Sequence, residues 1–139
     1  MTEEKPAKKQ IISEEVATEQ MQMFYDYYDM AIEEASERQS EVLQLINKRL
    51  IKAIRNGRLT IDNKNGLEVI QTLQTGKQLK YKVISGEAKQ AMKASAEQDH
   101  LRNCQLIGYL TGKGSGGIGK LEGIDMSVSE CLGALFLHV

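Results

Sequence analysis

The hydrophobic period changes twice along the chain, and this change decides the fold class. Up to Ile54 apolar residues recur at helical spacing, with Val42, Leu43, Leu45, Ile46, Leu50, Ile51 and Ile54 forming a wide aliphatic stripe. Beyond Gly57 they alternate instead. Leu59 and Ile61 lead into the turn-forming run Asp62-Asn63-Lys64-Asn65-Gly66; Leu67, Val69, Gln71 and Leu73 alternate again; Gln74-Thr75-Gly76-Lys77 then turns the chain into Leu79, Tyr81 and Val83. This predicts a three-stranded antiparallel meander with Lys80 and Lys82 on its outer face, and such a sheet needs a helix against its apolar side. Helical spacing resumes from Glu87 to Leu110, with Ala88, Ala91, Met92, Ala96, Leu101, Cys104, Leu106 and Ile107 as its buried stripe, and stops at Gly112. The expected class is α+β: a long N-terminal helix, the meander, and two C-terminal helices joined by a glycine-rich loop.

The N-terminal helix is punctuated at both ends. Ser13 is placed to cap it, Glu14 and Glu15 suit its first turn, Lys52 and Arg55 its last, and Gly57 lies just past the end. Residues 1–12 then form a flexible tail, 13–56 a helix, and 57–139 a small α+β domain. About forty helical residues make a rod of roughly 60 Å, so part of it should project. The polar run from Ser36 to Glu41 is either a solvated turn of that rod or a bend with Ser40 capping a second helix; two halves of one nearly continuous helix is the expectation. At the other end Ser127 and Glu130 have the spacing of a capping box. The helix they open, running to Val139, is apolar on nearly every face.

Charge is segregated. Ser13 to Glu41 holds nine acids against Arg38, whereas Lys48 to Lys93 holds eleven bases against three acids. The blocks nearly cancel, giving a net charge of −1 and a pI near 6.1, so there is no global basic field for nucleic acid. No run of 18 uncharged apolar residues exists to span a membrane, and the first twelve residues lack the apolar core of a secretory signal. Cys104 and Cys131 sit in apolar surroundings, as buried thiols of a reducing compartment do. Cytoplasm is the expected location.

Three patterns suggest chemistry, and each falls short. Gly114 to Lys120 satisfies the first seven positions of a P-loop, but Leu121 stands where the magnesium-binding hydroxyl belongs, and too little chain follows for the parallel sheet. His100, Cys104, Cys131 and His138 are the right inventory for zinc, yet Cys131 and His138 are two turns apart and no short ligand pair closes a knuckle. A thiol and a histidine on one helix lack an evident third group to orient the base. No enzyme, metal or cofactor is expected.

What remains is surface for proteins. Phe24, Tyr25, Tyr27 and Tyr28 crowd four aromatics into five positions, with Met21, Met23 and Met30 beside them, the residue types that contact surfaces favour. Met21, Phe24, Tyr27, Tyr28 and Ala31, with Leu135 and Phe136 of the last helix, are the expected partner-binding residues. The segment Leu106-Ile107-Gly108-Tyr109-Leu110-Thr111-Gly112, followed by Leu121-Glu122-Gly123-Ile124-Asp125 and a closing helix from Val128 to Phe136, resembles the tail assembly chaperones of long-tailed bacteriophages. The likeness runs from Leu67 to Phe136, about half the chain. It implies a cytoplasmic, non-catalytic factor that keeps tape-measure or tube subunits from assembling early, with phage tail or other virion proteins and further copies of itself as partners, and no catalytic or metal residue to carry over. The alternative is a structural virion or connector subunit making permanent ring contacts through the long helix; a nucleotide switch at the glycine loop is a third reading.

Overall fold

The computed structural model describes residues 12–30, 37–90, 92 and 98–139. Two antiparallel helices replace the expected rod: α1 (Glu14–Tyr27) and α2 (Glu37–Arg55). Ser13 caps α1 as its sequence suggests, accepting from the Val16 N–H at 3.2 Å. The helix stops at Tyr27, where Asp29 takes a left-handed φ of 53° and the Met30 N–H returns to the Tyr25 carbonyl. The reversal therefore comes before the polar run, and its cause is long-range. A straight rod would leave the aromatic face of α1 in water, whereas folding back buries Ala17, Met21, Phe24 and Tyr25. Ile12, expected in a free tail, clasps the end of α2: its N–H donates to the Arg55 carbonyl, and Arg55 Nε donates to the Ile12 carbonyl, both at 3.0 Å. Residues 1–11 lie outside the described residues.

The meander forms as its alternation predicts. Strands β1 (Leu59–Asp62), β2 (Glu68–Thr72) and β3 (Gln78–Tyr81) pair antiparallel in that order, with Ile61 opposite Val69 and Val69 opposite Tyr81. The inner face is Leu59, Ile61, Val69, Gln71, Leu79 and Tyr81, all buried, and Lys80 and Lys82 are exposed. Side chains and loops close the edges. The Ile61 N–H donates to Gln20 Oε1 at 2.8 Å, the Lys82 N–H to the Leu110 carbonyl at 2.9 Å, and the Ile84 N–H to the Tyr28 hydroxyl at 3.0 Å.

The expected helix from Glu87 to Leu110 is interrupted. A short α3 (Gly86–Gln90) is followed by α4 (Asp99–Thr111), and Met92 and Gln98 between them are not helical. Gly112 ends α4 in the left-handed region, φ 76°, as a C-terminal glycine should. The glycine-rich stretch is a short helix, α5 (Gly114–Gly119), pinned by buried Ile118. Helix α6 (Ile124–Phe136) starts three residues before the expected capping box. Its start is set instead by Asp125, whose carboxylate accepts from the Gln74 N–H at 3.0 Å in the β2–β3 turn. Ser127 is thus inside the helix, and Glu130 is released for another role.

Helices α1, α2, α4 and α6 enclose the inner face of the sheet, and the core centres on aromatic rings. Phe24 meets Phe136 at 5.4 Å between centroids, and Phe136 stacks on Tyr81 at 6.0 Å. A buried polar thread crosses this core. Tyr81 donates to Gln71 Oε1 at 2.6 Å, and Gln71 Nε2 donates to the Asp125 carbonyl at 2.9 Å. Burial pushes the Tyr81 phenol well above its ordinary range, the Ser129 hydroxyl beside it working the other way, and burial pushes the Tyr25 phenol, which donates to Asn47 Oδ1, up to about 12. A raised phenol keeps its proton in the folded state while the unfolded chain loses it near pH 10. Stability is therefore full below pH 10 and declines as pH rises toward 12. Urea titrations at pH 8, 10 and 11 should show that decline, and Tyr25→Phe should make it shallower.

Candidate functional site: a cationic groove between two helices

Most of the expected partner-binding residues lie inside this chain. Met21, Phe24, Leu135 and Phe136 are at most 1 % exposed, because α1 folds onto α2 and brings Phe24 against α6. Tyr28 is half-buried with its hydroxyl used by Ile84, Tyr27 is exposed, and Ala31 lies outside the described residues. The larger part of the expected docking face is core, and Tyr27 alone of its described residues is exposed.

A different surface is left open. Helix α2 buries Leu43, Ile46, Leu50, Ala53 and Ile54, while Val42, Leu45, Arg49 and Lys52 follow one another at three- and four-residue spacing on its exposed side. Val42 and Leu45, one turn apart, are 46 % and 50 % exposed, the two most exposed of the large apolar side chains among the described residues. The C-terminal half of this stripe faces the N-terminal half of α6 across a groove of about 330 Å³. Leu50, Ala53 and Val128 form its floor, exposed Ile124 and half-buried Cys131 its far wall, and Arg49, Lys52 and Arg58 its charge. A larger depression of about 570 Å³ adjoins it through Asn56 and Arg58, but is built chiefly from turn residues such as Gly57, Gln74 and Gly76.

Among the described residues Arg55 pairs with Glu14 at 3.9 Å, whereas Arg49, Lys52 and Arg58 face the groove without a carboxylate partner. Burial raises the Cys131 thiol, against the pull of the Arg49 guanidinium beside it. The arrangement suits an apolar segment carrying acidic side chains: the floor takes the apolar face and the rim the charge.

The third group missing from the cysteine–histidine pair is present. His100 Nδ1 lies 3.1 Å from Glu130 Oε2, and His100 Nε2 lies 3.6 Å from Cys104 Sγ. Glu130 escaped the sequence reading because it comes from another helix. A nucleophile must nevertheless be reachable and ionisable. Cys104 is 3 % exposed, and burial together with the Glu130 charge raises its thiol, so the trio favours the inert protonated sulfur. Among the described residues no group of three His, Cys, Asp or Glu side chains is placed to hold a metal. The glycine stretch spends its backbone on α5 and buries Ile118. Among the described residues no helix is long and apolar enough to cross a membrane.

Searches against protein families, curated proteins and solved structures find no match to this chain.

Proposed function

We propose that the protein is a non-catalytic tail-assembly factor of a bacteriophage or prophage, acting in the host cytoplasm by holding apolar segments of tail proteins. The observation that carries the reading is the groove between α2 and α6, with Val42 and Leu45 exposed on the approach to it. Helices rather than strands make the docking surface, because the edge N–H groups of Ile61, Lys82 and Ile84 are already bonded within the chain. The likeness to tail assembly chaperones supports the same reading through Asp125. The aspartate of the Leu121 to Asp125 step joins α6 to the sheet and so sets one wall of the groove.

Coexpression with a tape-measure or tube subunit tests this. The subunit should stay soluble and copurify, and the protein should be absent from finished particles. Leu45→Glu with Val42→Glu should abolish copurification and leave the thermal midpoint within a few degrees, since both side chains are half exposed. Copurification unchanged by this double variant would remove the groove from the account, and stoichiometric presence in the particle would make the protein a structural subunit.

A further inference from the structure

We infer that a second copy of this chain covers the groove when no client is bound, through the outer face of its α1. The inference rests on the groove being a docking surface and adds what controls access to it. The groove calls for a helix that combines apolar side chains with carboxylates, and α1 presents one. Glu15, Glu19 and Asp26 are exposed along its outer side, and Val16 and Tyr27, each 43 % exposed, run beside them with half-buried Met23. These residues follow helical spacing on the side opposite buried Ala17, Met21 and Phe24. Among the described residues Glu15, Glu19 and Asp26 have no cationic partner; the Asp26 carboxylate accepts from Gln22 Nε2 at 2.8 Å. Among the described residues, carboxylates without a cation on one face and Arg49, Lys52 and Arg58 without a carboxylate on another make the chain complementary to its own copy.

The contact cannot form within one molecule. The inner face of α1 is locked onto α2 and β1, with Gln20 bonded to Ile61 and Tyr25 to Asn47, so its outer face points away from the groove. Since the two faces differ, the contact either occurs twice in a reciprocal, isologous pair or repeats head to tail in a ring or an open chain. A helix of 14 residues offers a contact about 21 Å long, smaller than a permanent interface, which keeps the contact displaceable by client.

Charge exchange between two variants is the test, read by sedimentation velocity over a concentration series of the full chain. The wild type should self-associate, with a dissociation constant on the order of tens of micromolar, and more weakly at high salt. Arg49→Glu with Lys52→Glu, and separately Glu15→Lys with Glu19→Lys, should each weaken association by about tenfold or more, because like charges then meet across the contact. An equimolar mixture of the two variants should associate again, since each supplies the charge the other lacks. A wild type monomeric at every concentration, reversals without effect, or a mixture that stays monomeric would each overturn the inference. Client solubilisation by the wild type is scored separately. A monomer that still keeps client soluble removes self-masking alone, whereas restored association without client binding removes the assembly-factor reading alone.

Discussion

Replacing Phe24 with serine should strip the protein of much of its stability rather than silence an interface. The ring is fully buried and touches three others: Tyr28 at 4.9 Å, Phe136 at 5.4 Å and Tyr25 at 6.2 Å between centroids. Truncating a buried phenylalanine costs about 3–5 kcal/mol through lost transfer free energy and the cavity left behind. The serine hydroxyl then sits where Phe136 offers no partner, adding about 1–3 kcal/mol. Total stability of a domain this size is about 5–15 kcal/mol, so the sum removes much of it. Guanidinium titration should show the midpoint falling steeply, and Phe136→Ala should behave similarly because it strips the contact to Tyr81 as well. Tyr27→Ser, at an exposed position, should stay within about 0.5 kcal/mol of wild type. A Phe24→Ser protein melting within a few degrees of wild type would mean that α1 does not pack on the core.

The same residue shows why the sequence was only partly legible. The meander could be read because its signals are local: period two along Leu59 to Val83, turn chemistry at Asn65-Gly66 and Thr75-Gly76, and a register that follows from them. The cap at Ser13 and the stops at Gly57 and Gly112 are equally local. The reversal after Tyr27 is not. No proline or glycine marks it, and a continuous helix satisfies the backbone just as well; only the fit of Phe24 against Phe136, 112 positions away, decides for the hairpin. A dense aromatic cluster therefore reads equally well as interface and as core until its neighbours are known.

Long-range pairing overrode a local rule at the last helix as well. Ser127 and Glu130 have the spacing of a capping box, but Asp125 reaches the Gln74 N–H and draws the helix start back to Ile124. Glu130 goes instead to His100. The groove was half visible. The spacing of Val42, Leu45, Arg49 and Lys52 sets them apart from the buried set Leu43, Ile46, Leu50 and Ile54, but both belong to one broad apolar pattern until α6 shows which side is covered.

Backbone contact between α4 and α5 leads to the second large effect, a reversal of sign between two glycines eight positions apart. A Cβ at Gly108 would lie 2.6 Å from both the Gly114 carbonyl oxygen and the Ser115 nitrogen, backbone atoms that cannot swing aside as a side-chain end could. Accommodating it requires α5 to move as a unit, and α5 carries Ile118, buried in the core. Partial exposure of that side chain together with the strain of the displaced backbone costs about 2–4 kcal/mol, against about 1 kcal/mol gained from alanine's better helix propensity in α4. Gly108→Ala should therefore lose about 1–3 kcal/mol in a urea titration, and Gly108→Val more. At Gly116, inside α5, an added Cβ meets nothing within 4 Å and φ is not positive. There the same substitution lowers unfolded-state entropy and favours the helix, so Gly116→Ala should stabilise by about 0.5–1 kcal/mol. If both variants came out more stable than wild type, α5 would not be seated on Gly108; opposite signs would show that the glycine-rich stretch is a packed helix whose position a single missing methyl makes possible.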